Sequence, residues 1–156
     1  PFYQPVDAWA VSFGEPGDDN FSRLDKLEDC RAADGKLDMR IAYPQMDGSP
    51  SNTWRQTTNP VTATAGGVDG YENVDTQLTA NAIGGWGTDD GQFYGLEAGL
   101  HGLSLLDASV NHGHWFYAVG QVEEWSGGIG GGGDYTEKQV ELWAICEGRR
   151  AAQAHC

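Results

Sequence analysis

The sequence is poor in basic residues: Lys and Arg together number 9, against 23 for Asp and Glu, and the formal net charge is −14. Because an acidic surface repels phosphate groups, this balance argues against nucleic acid and anionic membranes as partners. The sequence also lacks any apolar run long enough to cross a bilayer, so membrane insertion is not expected. Divalent cations, basic partners or simple solvation of the surface are all compatible with this charge.

The motifs of common enzyme classes are also missing. The chain has no G-x-S-x-G nucleophile elbow, no H-E-x-x-H zinc motif and no P-loop. The glycine run "GGIGGGG" (127–133) is not followed by the Lys or the helix start that phosphate binding requires. Carboxylates are too numerous to single out a glycosidase pair. We therefore predict that the protein is not an enzyme.

The residues that are present favour short strands and tight turns. Glycine is abundant, at 23 residues, aromatic residues make up 11%, and few Leu, Lys and Glu are left for long helices. Apolar and polar residues alternate in "KLDMRIAY" (36–43) and "TEKQVELWAIC" (136–146), which predicts two strands. A third alternating segment is 6–13, whereas 22–35 predicts the one short helix, with Ser22 at its start.

These patterns predict an all-β fold, an antiparallel β-sandwich or jelly roll with long loops and at most one short helix. The length of 156 residues fits one domain. We assign residues 1–146 to a single β-sandwich domain and residues 147–156 to a C-terminal tail.

The odd number of cysteines, three, favours one internal bridge and one thiol left for an intermolecular bond. A bridge between Cys30 and Cys146 would close most of the chain and restrict its unfolded state. Cys156 then remains for a homo-oligomer, or it pairs with Cys30 instead. Three reduced thiols in a cytosolic protein are the alternative. With the glycosylation sequon at Asn20, this pattern predicts a secreted, extracellular glycoprotein.

Two histidines that are separated by a single residue precede the aromatic run "WFY". If the segment is a strand, His112 and His114 point the same way and both imidazoles can bind one zinc or copper ion. Cupin jelly rolls use this spacing with a Glu soon after, whereas this chain has Ala118 and Val119 there and Glu123 comes too late. The alternatives are packing within a turn, or a place in the lining of a ligand site.

Acidic clusters in the predicted loops indicate a calcium site. Calcium takes several oxygen ligands, commonly from Asp, Glu and loop carbonyls, although none of these clusters matches the EF-hand loop. The candidate metal ligands are Asp18, Asp19, Asp69 and Glu72.

A tryptophan in "GGWGTDD" is the leading candidate for sugar binding. Trp86 is flanked by glycines that offer little to bury it, and an indole packs well on the C–H face of a pyranose. Asp89 and Asp90 would take the hydroxyls, with Trp54, His112 and His114 as further ligand-binding candidates. The alternative is that Trp86 folds back as a plug over one end of the fold.

Five segments together resemble a module found in secreted and cell-surface adhesion proteins of marine invertebrates, over roughly residues 36–146: "TWRQTTNPVT", "GGWG…YGLE", "SLLDASVNHGHWFYAVG", "W…GGI" and "KQVELWAIC". The glycines, tryptophans and acidic loops are also similar to fibrinogen-related and discoidin-like lectin domains, although the cysteine pattern departs from the fibrinogen-related one. The resemblance implies an extracellular, adhesive or matrix setting, and it assigns no functional residues.

We therefore expect an extracellular recognition module, lectin-like and carbohydrate-binding, with calcium as candidate cofactor and glycans or matrix proteins as partners. The alternative is a structural matrix protein that assembles through disulfide and loop contacts. A His-x-His metalloenzyme is the third and least favoured hypothesis.

Overall fold

The structure is a computed structural model that describes residues 8, 10–18, 21–45, 48–63, 67–77, 93–98, 104–107, 119–121, 140–146 and 152–155. Over these residues it is an antiparallel all-β fold with one short helix, as the sequence predicted at this coarse level. The elements are a 3₁₀ helix (Leu24–Cys30) and strands β1 (Leu37–Ala42), β2 (Ser51–Gln56), β3 (Glu72–Thr76), β4 (Glu97–Ala98), β5 (Ser104–Asp107), β6 (Val119–Gln121), β7 (Glu141–Ile145) and β8 (Ala152–His155).

The strands form two antiparallel sheets. The larger has the order β3-β2-β1-β7-β8, and the smaller has the order β4-β5-β6. Strand β1 is the centre of the larger sheet, where Met39 lies opposite Trp54 of β2 and Ala144 of β7. The β1–β7 pairing joins segments that are far apart in the sequence, so the sheet depends on long-range contacts.

One face of the larger sheet carries the core. On β1, Leu37, Met39 and Ile41 have no exposed surface, whereas Asp38 and Arg40 between them reach the other side. This alternation is the one that "KLDMRIAY" predicted. The buried core cluster comprises Leu24, Leu27, Leu37, Met39, Ile41, Tyr43, Trp54, Phe93, Leu96, Val140 and Leu142.

The helix is a 3₁₀ helix because its apolar residues recur every third position. Leu24, Leu27 and Cys30 are its buried residues, and three residues per turn place them on one face. The hydroxyl of Ser22 accepts a hydrogen bond from the N–H of Leu24 at 3.3 Å, but the residue that precedes the helix is Arg23, and the helix ends at Cys30, five residues before the predicted end. The buried face of the helix packs on β1 and β7.

A disulfide fixes the helix to the sheet. Cys30, the last helical residue, is joined to Cys146, which directly follows β7, and their Cα atoms lie 4.1 Å apart. This is the pairing that the sequence favoured. Since 116 positions separate the two cysteines, the bond restricts the unfolded chain strongly, an effect worth about 2–5 kcal/mol in small secreted domains.

A buried glutamine connects the larger sheet to the segment that leads into β4. The amide Nε2 of Gln56 donates to the carbonyls of Thr58 at 2.7 Å and Leu96 at 2.9 Å. Its Oε1 accepts from the indole N–H of Trp54 at 2.7 Å and from the N–H of Leu96 at 2.9 Å. Gly95 allows this approach, because its φ is +97° and an added Cβ would lie 2.7 Å from Gln56 Oε1.

Two segments differ from the sequence predictions. Residues 152–155 form β8, paired with β7, where the sequence predicted a C-terminal tail. The pairing with β7 supplies the hydrogen bonds, so low intrinsic strand propensity does not decide the outcome. In the predicted strand 6–13, the described residues form only an isolated bridge between Phe13 and Ser22.

Candidate functional site

The face of the larger sheet opposite the core is the surface on which polar and aromatic side chains gather. We call it the outer face. It is built by the residues of β1, β2 and β7 that alternate with the core positions, because successive side chains of a strand point to opposite sides. Its described side chains are Asp38, Arg40, Thr53, Arg55, Glu141, Trp143 and Ile145, together with Ala42 and Ser51, which are buried.

One end of the outer face is a network of ion pairs. Arg55 donates from Nε to Asp38 at 2.5 Å and from Nη2 to Asp34, while Lys36 Nζ lies 2.8 Å from Glu72. The N–H of Lys36 and then the guanidinium of Arg55 lower the pKa of Asp34, and the Lys36 ammonium lowers the pKa of Glu72. Two cations and three carboxylates meet here and each has a partner of opposite charge, so this end has little to offer a charged ligand.

The middle of the outer face combines an aromatic ring with charged neighbours. The indole N–H of Trp143 donates to Glu141 Oε2 at 3.1 Å, which orients the ring on the sheet. Arg40 lies directly opposite Trp143 on one side and Thr53 on the other, and its side chain is exposed. Ile145, 47% exposed, adds apolar surface on the same face. Flat apolar and hydrogen-bonding groups therefore lie side by side.

Trp54 is a core residue in the structure, not a surface ligand group. It has no exposed area, its ring packs edge-on against Phe93 with centroids 4.7 Å apart, and its N–H is bonded to Gln56. A side chain with no exposed area cannot contact a ligand on the surface. The polar Asn52 and Gln56 lie on the same side of β2 as Trp54, and both are buried with it.

Three of the acidic candidates for calcium, Asp18, Asp69 and Glu72, lie in the described part of the chain. The carboxylate of Asp18 accepts the N–H of Glu15 within a turn at 2.8 Å, and Glu72 pairs with Lys36. The backbone of Asp69 bonds Thr57 and Thr58. Among the residues that the structure describes, no three His, Cys, Asp or Glu side chains are placed to hold a metal ion.

The remaining predicted residues lie outside the described part of the chain. The predictions made for them therefore stay predictions. They are Asp19, Asn20, Trp86, Asp89, Asp90, His112, His114 and Cys156.

Arg40 and Trp143 were not identified from the sequence as candidate site residues, although the alternation of apolar and polar residues places both on the outer face. The alternation in "KQVELWAIC" places Leu142 on the core side, and it therefore places Glu141 and Trp143 on the other side. The alternation in "KLDMRIAY" does the same for Arg40. What the sequence did not contain is the β1–β7 register that sets Arg40 opposite Trp143.

Comparison of the chain with protein-family models, with curated proteins and with solved structures gave no match. Within the described ranges, no helix has the length and apolar character needed to span a bilayer. The function therefore has to be inferred from the chemistry of the site itself.

Proposed function

We propose that the protein is a secreted recognition module that binds carbohydrate on the outer face of its larger sheet, with Trp143 as the contact platform. The observation that carries the proposal is the position of this ring on the outer face, with its N–H held by Glu141. An indole offers a flat apolar surface to the C–H face of a pyranose, which is the usual way proteins hold a sugar ring.

The neighbours of Trp143 complement the hydroxyls of such a ring. A sugar hydroxyl both donates and accepts hydrogen bonds. Glu141 supplies an acceptor on the strand of Trp143, Arg40 supplies donors on the adjacent strand, and Thr53 beyond it can do both. A few placed polar groups beside an aromatic surface are typical of small-molecule sites.

The disulfide supports an extracellular setting. Bonds such as Cys30–Cys146 persist in oxidising compartments and are rare in the cytosol. In this proposal the two sheets are the layers of a β-sandwich, and the ligand binds on the outside of one layer. The resemblance to secreted adhesion modules fits the same setting. Calcium remains the candidate cofactor of the acidic loops.

Binding of purified protein to a glycan array, followed by calorimetry with the best ligand, tests the proposal. We expect Trp143→Ala to weaken binding by about tenfold or more, because tryptophan truncation at the centre of a contact is among the costliest changes. Val74→Ala is the matched control, since Val74 is 56% exposed on β3, away from Trp143, and should change nothing. Parallel measurements with EDTA test the role of calcium.

Two outcomes would overturn the proposal. One is a blank array both with calcium and with EDTA. The other is a Trp143→Ala variant that binds as tightly as the unmodified chain. If Trp86→Ala alone abolishes binding, the sugar site lies in "GGWGTDD" and not on the outer face.

A second candidate function, a structural protein of an extracellular matrix, is favoured by the cysteine count. Because Cys30 and Cys146 are joined, Cys156 is left as the third cysteine. In this hypothesis it forms a bond between chains. A non-reducing gel would then show a dimer that reductant and Cys156→Ser both remove. A single monomer band under oxidising conditions would eliminate this role.

A further inference from the structure

We infer that the ligand of the outer face carries one anionic group, a carboxylate or a sulfate ester, and that Arg40 binds it. The inference rests on the proposed carbohydrate site and adds the chemical class of the ligand. The observation that supports the inference is that the exposed Arg40 lies directly opposite Trp143.

Arg40 differs from the other cations in the described part of the chain. Each of the others has a protein partner: Arg23 donates to backbone carbonyls, and Lys26, Arg31, Lys36 and Arg55 pair with carboxylates. Among the six described cations, Arg40 alone has neither a carboxylate nor a backbone carbonyl as partner, in a chain where acidic residues outnumber basic ones by 23 to 9. An arginine that stays unpaired amid so many carboxylates is placed for an external anion.

The acidic residues nearest to Arg40 on the outer face accept hydrogen bonds from other residues. Asp38, two positions earlier on the same strand, is held by Arg55 at 2.5 Å. Glu141, on the neighbouring strand, accepts the indole N–H of Trp143 at 3.1 Å. Both carboxylates are therefore engaged with other donors, and Arg40 is exposed and forms an ion pair with neither of them.

The geometry allows one sugar residue to contact both groups. Residues directly opposite each other on antiparallel strands have Cβ atoms about 4.5–5.5 Å apart. Arg40 and Trp143 occupy such positions. A pyranose stacked on the indole can thus place a charged substituent at the guanidinium, whose planar fork matches a carboxylate or sulfate with two parallel hydrogen bonds.

The net charge of the chain limits how many charges the ligand can carry. At −14 the protein repels a polyanion over its whole surface, and one guanidinium cannot compensate for many repelled groups. A glycan with a single acidic sugar can bind Arg40 through its one anionic group, and it has no further anionic groups for the acidic protein to repel. We therefore expect weaker binding of densely sulfated polysaccharides than of singly charged oligosaccharides.

Calorimetry at low salt with three oligosaccharides of equal length tests the inference: one neutral, one with a single carboxylate and one with a single sulfate ester. We expect the better of the two anionic ligands to bind about tenfold more tightly than the neutral one, as a charge-assisted hydrogen bond allows. The two charged arms identify which anion the site takes. Arg40→Gln should remove the preference, because it should weaken binding of the anionic ligand by about tenfold more than binding of the neutral one, for which Arg40 supplies only donors to hydroxyls.

Two further variants sharpen the result. Arg40→Lys keeps the positive charge but loses the planar guanidinium that makes two parallel hydrogen bonds. It should therefore retain only part of the preference for the anionic ligand over the neutral one. Lys26→Gln removes the same charge from another exposed position and should have no effect. If Arg40→Gln keeps the full preference, or if no anionic ligand outbinds the neutral one, the inference is wrong while the carbohydrate proposal stands. If the unmodified chain binds none of the three, both fail.

Discussion

The polar side chains on the two faces of strand β2 differ in their environment and in their hydrogen-bonding partners. On the core side, Gln56 is buried and its amide makes four hydrogen bonds to neutral groups. On the outer face, Arg55 is bonded to the exposed carboxylate of Asp34 and the partly exposed carboxylate of Asp38. The hydrogen bonds of Gln56 should therefore contribute much more to the free energy of unfolding than the ion pairs of Arg55 do. Water competes for the ion pairs at the surface, whereas it is excluded from the buried amide.

The comparison shows where stability and recognition reside in this sheet. Core-side residues are fixed by many contacts and leave no surface for a ligand. Outer-face residues contribute little to folding, so they can be arranged for binding. The two tryptophans of the sheet, Trp54 inside and Trp143 outside, represent these two situations and can be tested against each other.

The largest expected effect is on the core tryptophan. Trp54→Ala should destabilise the protein by about 3–5 kcal/mol, since it removes a fully buried ring and leaves a cavity. Trp143→Ala should lower the free energy of unfolding by about 1 kcal/mol or less while reducing sugar binding. Urea unfolding of both variants measures the difference, and equal losses would contradict the assignment of the two faces.

The next effect is on the buried amide. Gln56→Met keeps the length of the side chain but strands the N–H groups of Trp54 and Leu96 and the carbonyls of Thr58 and Leu96 in the interior. We expect a loss of about 2–4 kcal/mol, as buried polar groups without partners are costly. Chemical denaturation measures it, and a loss under about 0.5 kcal/mol would show that water replaces the amide.

The matched change on the outer face is Arg55→Met. It should lower the thermal midpoint less than Gln56→Met does. The difference from the unmodified chain should shrink further in high salt, which screens exposed ion pairs. Differential scanning calorimetry at two salt concentrations checks this, and a salt-independent loss larger than that of Gln56→Met would invert the comparison of the two faces.

The smallest expected effect depends on pH. Hydrogen bonds from Arg31 and then Asn59 lower the pKa of Glu28 from 4.5 to about 2. This carboxylate therefore stabilises the fold above pH 4.5, and its contribution is lost as the pH falls towards 2. Because Glu28 is 57% exposed, we expect less than about 1 kcal/mol. Glu28→Gln should lower the free energy of unfolding near pH 7 by this amount and flatten the stability curve between these pH values, which urea unfolding at several pH values measures.

The sequence predicted the local parts of the fold. Strict alternation in 36–43 and 136–146 identified β1 and β7 and the residues that face the core. The pairing of these strands with each other was beyond local pattern, because register is decided by contacts between distant segments. The same limit applies to β8, whose sequence has little strand propensity of its own.

The candidate site was harder to predict than the fold. Trp54 was predicted as a further ligand-binding residue, but it is buried, with its indole N–H bonded to Gln56, and this environment depends on contacts with the distant Phe93 and Leu96. Trp143 looked like part of an ordinary strand. Its significance depends on having Arg40 across the sheet, and that neighbour comes from tertiary structure alone.

The bond between Cys30 and Cys146 has one more consequence. It makes the segment from residue 30 to residue 146, with β1 to β7 inside it, a closed covalent ring. A single proteolytic cut anywhere in that ring opens it without separating the molecule into two pieces. A nicked chain would keep its mass except for one added water, and its fragments would part only under reducing conditions.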